Sequence, residues 1–314
     1  MRRLPIGAAL AAFLLFPAPS AHAAERLTVL LDWFVNPDHA PLVVAQQRGF
    51  FTDAGLEVEL IQPADPNDPP KLLAAGQADI AVSYQPQLHL QVAEGLPLAR
   101  IGTLIATPLN CVVALVDGPV KTLADLKGRK VGFSVGGFED AVLARMLKEA
   151  GLSLDDVELV NVNFSLSPAL LSGQVDAVIG AFRNFELNQL ALEGKPGRAF
   201  YPEEHGVPAY DELIYLAHRD RLEDPRLPRF LDAVERATLF MLNHPDEAWD
   251  DFRRYRAELD DELNKRAWAD TLPRFAQAPA GLDTGRYRRF AEFLKEQALI
   301  ADAPPVESYA VQLR

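Results

Sequence analysis

The feature that most restricts the fold is a short internal repeat. Residues 71–83 read KLLAAGQADIAVS and residues 168–180 read PALLSGQVDAVIG, and the two align without gaps. Both carry Gly-Gln-x-Asp, as Gly76-Gln77-Ala78-Asp79 and Gly173-Gln174-Val175-Asp176. Each copy reads as a short helix closed by glycine, then a buried strand. The preceding elements match as well. In the first half, a strand over 27–31 leads to a helix over 41–48 closed by Gly49, then a strand over 56–61. In the second, a strand over 130–135 leads to a helix over 139–150 closed by Gly151, then a strand over 157–162. The order β-α-β-α-β, met twice, predicts two α/β lobes, each a mainly parallel sheet flanked by helices. A length of 314 residues agrees, since it exceeds what one core usually organises.

The segment VVALVDGPVKTLADLKGRK (112–130) reads as a crossing strand, a turn and a capped helix, and residues 211–217 as a strand carrying the chain back. Over 226–300, LPRFLDAVERATLFML and RYRRFAEFLKEQALI place apolar residues at helical spacing. With no third βα unit there, these helices are expected to cover the first lobe. The expected division is lobe 1 over 24–111 and 215–314 and lobe 2 over 112–214, with a two-crossing hinge and a cleft between them.

Residues 1–23 stand apart. Arg2 and Arg3 precede an apolar stretch from Ala8 to Phe16, and Ala21-His22-Ala23 fits a small-x-small cleavage site. The pattern predicts a cleaved secretory signal peptide, rather than a buried helix or a membrane span, and export to a periplasm. The one cysteine, Cys111, leaves no internal disulfide and no cysteine at the cleavage site to carry a lipid. Beyond the leader no uninterrupted apolar run approaches the roughly 18 residues of a span, so a soluble chain without stable membrane insertion is expected. Net charge is −13 for the whole chain and −15 once the two leader arginines are gone. Such a balance disfavours nucleic acid and anionic lipid as partners, although backbone amides remain able to bind an anion locally.

Ligands of open α/β sheets sit at the carboxyl ends of strands. Four loops fall there: 32–39, 83–87, 134–138 and 180–186. Their aromatic members are Trp33, Phe34, Tyr84, Phe138, Phe182 and Phe185; their polar ones include Asn36, Gln85, Gln87, Asn184 and Glu186. Flat rings sandwich a flat ligand, and amides with a carboxylate read its polar edge. A sulfonate or nitrate would call for arginines or several hydroxyls, and the one arginine of these loops, Arg183, alternates with the candidates. An uncharged or weakly basic heteroaromatic ring fits better. Asn184 and Glu186 lie two apart, so in extended backbone they share a side. Together they could address an aminopyrimidine, the carboxylate accepting from an exocyclic amine or pairing with a protonated ring nitrogen.

Each of these residues also has a plainer reading. Trp33 may be read as core, Tyr84 as surface and Glu186 as a solvated loop carboxylate. Gly136-Gly137-Phe138 makes a tight turn as readily as a set of free amides ahead of a helix. His39 could simply close its loop. Asp38 and His39 lack the spaced partners of a metal site, so no metal, cofactor or catalytic residue is expected, and Cys111 is expected to pack in the core.

LDWFVNPDHAPLVVAQQRGFF, DPNDPPKLLAAGQADIAVSYQPQL, VGFSVGGFED, NVNFSLSPALLSGQVDAVIGAFRNFELNQL and EEHGVPAYDELI together resemble the bacterial thiamine-pyrimidine-precursor binding proteins of ABC importers, the ThiY type. The resemblance runs over about 27–217 and is looser beyond. It implies a two-lobed periplasmic-binding-protein fold of type II. The implied role is capture of N-formyl-4-amino-5-aminomethyl-2-methylpyrimidine or hydroxymethylpyrimidine for thiamine salvage. The monomeric chain would deliver its ligand to an inner-membrane permease. It places stacking and hydrogen-bonding roles on Trp33, Asn36, Tyr84, Phe182 and Glu186, with Asn184 alongside and backbone contacts from Gly136, Gly137 and Phe138. A related branch contains the fungal enzymes that build this pyrimidine from pyridoxal phosphate and one of their own histidines. Where those enzymes carry the cofactor lysine and that histidine, this chain has Ser83 and Gln87, so the enzyme reading is disfavoured. The same fold with riboflavin or an alkanesulfonate as ligand is the remaining alternative.

Overall fold

The structure is a computed structural model that describes residues 24–313. The expected signal peptide lies outside the described residues.

The first half runs β1 (Glu25–Leu30), α1 (Ala40–Gln47), α2 (Phe50–Asp53), β2 (Leu56–Ile61), α3 (Pro69–Ala74), β3 (Ile80–Ser83), α4 (Gln85–Ala93) and β4 (Leu98–Ile105). After a crossing come β5 (Asn110–Leu115), β6 (Lys130–Phe133), α5 (Phe138–Glu149), β7 (Glu158–Asn161), α6 (Leu166–Leu171), β8 (Ala177–Phe182), α7 (Glu186–Leu192) and β9 (Gly197–Phe200). The chain returns through β10 (Leu213–His218) and ends in α8 (Arg226–Asn243), α9 (Pro245–Arg253), α10 (Glu262–Thr271) and α11 (Thr284–Glu296). The helix expected near 123–126 is only a 3₁₀ turn, capped reciprocally by Thr122 and Asp125.

Two five-stranded sheets result, ordered β2-β1-β3-β10-β4 and β7-β6-β8-β5-β9. They are equivalent position by position. β1 pairs in parallel with β2 and β3, as β6 does with β7 and β8. The fourth strand of each sheet is the one that arrives by crossing, β10 or β5, and it runs antiparallel to both neighbours. A strand entering from the other sheet reaches its slot from the opposite end, which is why each sheet is mainly parallel but not wholly so.

The repeated Gly-Gln-x-Asp has the same physical work in both halves. Gly76 and Gly173 take φ of +72° and +74°, so each helix can end in a left-handed turn with the following glutamine N–H bonded back to its last turn. The aspartate then docks the next strand. Asp79 accepts from the Thr28 N–H at 2.9 Å and donates its own N–H to the Thr28 carbonyl. Asp176 does the same with Lys130, at 3.1 Å.

At the crossings, Glu212 bonds the other strand through the Leu109 and Asn110 N–H groups, at 2.5 and 2.9 Å, so one buried carboxylate ties the outgoing and returning segments together. The C-terminal helices do cover the first sheet. α8 lies on α1 and α2, and α11 brings Tyr287 and Phe290 against His89 of α4. α10, by contrast, also packs beside α7 of the second half. Phe230 of α8 is fully buried, parallel to Phe51 at 5.5 Å and edge-on to Tyr215 at 5.3 Å. Phe230→Ala should therefore cost about 3–5 kcal/mol in urea unfolding; a loss below about 1 kcal/mol would mean that α8 does not anchor this core.

Candidate functional site

The loop after β1 spends much of its polar equipment on itself. Asn36 Oδ1 accepts from the Asp38 N–H at 2.8 Å and its Nδ2 donates to the Phe34 carbonyl at 3.2 Å, so Asn36 caps the 3₁₀ turn over Pro37–His39. The Asn36 N–H points at His39 Nδ1, 3.3 Å away. That ring nitrogen must accept, which leaves the proton on Nε2, and Nε2 donates to Asp32 Oδ1 at 2.9 Å. Tyr84 Oη donates to the other Asp32 oxygen at 3.0 Å. Asp32 is thus a buried carboxylate with a donor on each oxygen, joining the loop ends after β1 and β3.

Between the two sheets lies a cavity lined from both halves of the chain. Asp32, Trp33, Asn36, Asp38 and Tyr84 line it from the first sheet. Phe138, Glu139, Leu166 and Gly180 face them from the second, with Phe182, Phe185 and Glu186. Six expected residues therefore meet at one cavity: Trp33, Asn36, Tyr84, Phe138, Phe182 and Glu186. Trp33 comes from the first half and Phe182 from the second, and both line the cavity.

Gly136, Gly137 and Asn184 are not among the lining residues. The Gly136 N–H donates to Asn67 Oδ1 at 3.0 Å, and Asn67 Nδ2 donates back to the Ser134 carbonyl at 3.1 Å, so this loop grips the other half of the molecule. Gly137 opens α5 at φ +92° with its N–H on Asp140. Asn184 does not share a side with Glu186, because Glu186 already begins α7. Asn184 turns its amide to Asp38 and Thr271.

Aromatic contacts also close the seam. Phe164, just after β7, meets Trp33 edge-on at 4.7 Å and Phe34 at 4.5 Å. Tyr84 stacks on Phe138 at 5.1 Å, which covers one face of the tyrosine ring.

Residues 36–248 match the family described as NMT1/THI5 like. The chain belongs to the NMT1/THI5-like family. A Haemophilus influenzae protein named for thiamine biosynthesis is 59% identical to it over 93% of both chains. The formylaminopyrimidine-binding protein of Halalkalibacterium halodurans is 35% identical, over 74% of this chain and 71% of its own. A more distant relative, the 4-amino-5-hydroxymethyl-2-methylpyrimidine phosphate synthase of Schizosaccharomyces pombe, is 26% identical over 77% of this chain and 73% of its own. Among solved structures, the alkanesulfonate-binding protein SsuA from Xanthomonas axonopodis pv. citri superposes with a TM-score of 0.72 over 92% of this chain and 99% of its own, at 18% identity. The two-lobed fold is that of the periplasmic binding proteins. No helix among the described residues is long and apolar enough to cross a membrane.

The lining of the cavity is acidic. Asp32, Asp38, Glu139 and Glu186 all line it, and no lysine or arginine does. Glu186 Oε2 accepts from the Phe182 N–H at 2.6 Å, yet burial outweighs that bond and the charge of Asp38 adds to it, raising the Glu186 carboxyl to about 7. Burial likewise lifts Asp38 to about 6, against the pull of His39 and Asn184. Glu139 is pushed well above the usual carboxylate range by burial, although the Ser134 and Val135 N–H groups oppose the shift. Gly180, at φ +94°, lets its backbone lie against the Glu139 carboxylate where any Cβ would overlap it.

Sequence reasoning missed Asp32, Asp38 and Glu139 as cavity groups, with Leu166 and Gly180 beside them. Glu139 carried a usable signal: an acid in the first turn of a helix, two residues past a pair of glycines, where a helix start favours a carboxylate. Cys111, expected in the core, is fully buried, with its thiol pushed up by burial and directed to the Ala181 carbonyl.

For Glu186 the folded value lies above the unfolded one, near 4.5. Its protonated form is therefore favoured in the fold, and the associated stability is complete below about pH 4.5 and lost as pH rises through 7. The loss by pH 8 is roughly 3 kcal/mol. Between pH 5 and 8, Glu186→Gln should flatten the decline in stability of the ligand-free protein; an identical pH slope in both proteins would contradict this assignment.

Proposed function

We propose that the chain is a periplasmic solute-binding protein that captures a thiamine-derived aminopyrimidine and delivers it, as a monomer, to an inner-membrane ABC permease. The observation that carries the reading is a cavity walled by aromatic rings and lined by four carboxylates without a lysine or arginine. Such a wall repels a sulfonate and attracts a ring with amine donors and a protonatable nitrogen. A like charge added in a poorly solvated site costs several kcal/mol, whereas an amine or ring N–H offers a carboxylate a charge-assisted hydrogen bond. The relatives named for thiamine biosynthesis and for formylaminopyrimidine binding agree in class. The alkanesulfonate-binding protein shares less than a fifth of its residues with this chain and supports the fold alone.

In this reading Trp33 and Phe182 contact the ring faces, Asn36 and Glu186 address its edges, and Phe138 closes one end behind Tyr84. The lobes are 24–111 with 215–314, and 112–214, and a leader at 1–23 exports the chain. Closure is favoured because the ligand touches both walls only when they meet. The enzyme reading fares worse. At the position the resemblance assigns to a cofactor lysine, Ser83 is buried and has no amine with which to form a Schiff base.

A thermal-shift panel tests the ligand class: 4-amino-5-hydroxymethyl-2-methylpyrimidine should raise the melting midpoint, and ethanesulfonate and riboflavin should not. The reverse pattern would overturn the proposal. Trp33→Ala and Glu186→Ala should each weaken binding by about 1–3 kcal/mol in calorimetric titration without loss of folding. Full affinity in both would place the ligand elsewhere. Addition of pyridoxal phosphate should leave the absorbance spectrum without a Schiff-base band.

A further inference from the structure

Asp38 lies both on the cavity wall and on the seam between the two halves. It is 1% exposed, and its two oxygens have different fates. Oδ1 accepts from Asn184 Nδ2 at 2.6 Å, across the seam. The second N–H of the same amide reaches Thr271 Oγ1, also at 2.6 Å. The Thr271 hydroxyl is turned to the Ala267 carbonyl at 2.6 Å, nearer than Asp38 at 3.2 Å, so it accepts from Asn184 and gives its own proton to its helix. Asn184 thus uses both of its donors to hold the loop after β1 and the end of α10 against α7. Asn188, one turn further along α7, adds a bond to Asp270 at 2.8 Å. Asp38 lines the cavity, and its Oδ2, in contrast, is buried without a hydrogen-bond partner among the described residues. A buried carboxylate oxygen left unpaired is costly, and a donor entering the cavity would relieve that cost.

We propose that Asp38 couples occupancy of the cavity to closure of the seam, Oδ1 holding Asn184 while Oδ2 accepts a hydrogen bond from an amine of the ligand. The inference rests on the cavity being the ligand site proposed above and deepens that reading. It requires a ligand with N–H donors toward both lobes, one for Glu186 and one for Asp38. A donor bound at Oδ2 fixes the Asp38 carboxylate in the rotamer that Asn184 needs, and a formed Asn184 contact holds Oδ2 aimed at the donor. Each therefore strengthens the other.

The test is calorimetric titration and stopped-flow binding of 4-amino-5-hydroxymethyl-2-methylpyrimidine to wild type, Asp38→Asn, Asn184→Ala and the double variant, with the ligand-free melting midpoint of each. Asp38→Asn keeps an oxygen for Asn184 but sets an N–H donor where Oδ2 was. It should lose at least tenfold in affinity with a midpoint equal to or above that of wild type. Asn184→Ala should lose about tenfold through faster dissociation with unchanged association. The double variant should lose no more than the larger single loss, because both act on one linkage. Wild-type affinity in Asp38→Asn, a loss matched by a lowered midpoint, or fully additive losses would overturn the coupling while leaving the ligand class intact. A wild type that does not bind the probe would overturn the ligand class, and this inference with it.

Discussion

Four carboxylates in one poorly solvated cavity set the terms for this molecule. Burial raises Asp38 to about 6 and Glu186 to about 7, and holds Glu139 well above its usual range. Asp32 is answered on both oxygens from within, by His39 and Tyr84, whereas Asp38 Oδ2 has no partner among the described residues. Stability is therefore spent where the two halves meet, and only a guest that brings protons or donors can return it. The repeat in the scaffold explains how such a cavity can be built. Two equivalent sheets point the ends of their strands at each other, and each contributes one wall.

The same groups serve recognition and closure. Trp33 and Phe34 of one half rest on Phe164 of the other, Tyr84 stacks on Phe138, and Asn67 clasps the loop at Gly136. Asn184 ties α7 to Asp38 and to α10 on the far side. These contacts surround the cavity, so whatever lies inside is screened from water when they form. In that setting a carboxylate–amine bond is worth more than it would be on a surface.

Much of this was legible in the amino-acid sequence. Gly76-Gln77-Ala78-Asp79 and its second copy revealed the two sheets because a helix stop and a strand dock each leave a local mark. The loops at strand ends brought Trp33, Asn36, Tyr84, Phe138, Phe182 and Glu186 to one cavity, since topology alone puts them there. Other features left no such mark. Asn184 seemed to face the ligand beside Glu186 only as long as that stretch was taken as extended; the helix starts at Glu186 and the alternation fails. Gly136 and Gly137 offered amides to any acceptor, and the acceptor proved to be Asn67 for one and Asp140 for the other. Thr271 lies 87 residues from its partner Asn184 in sequence, on a helix whose pattern indicated only a cover for the first sheet. Long-range pairing of single polar side chains has no periodicity to betray it.

The most direct test of the central claim is mass spectrometry of the small molecules released when the purified, full-length protein is denatured. A cavity of carboxylates and rings predicts a stoichiometric flat nitrogen heterocycle carrying at least two N–H donors, with the mass of an aminopyrimidine. Recovery of a sulfonate or another anion in stoichiometric amount would contradict the account.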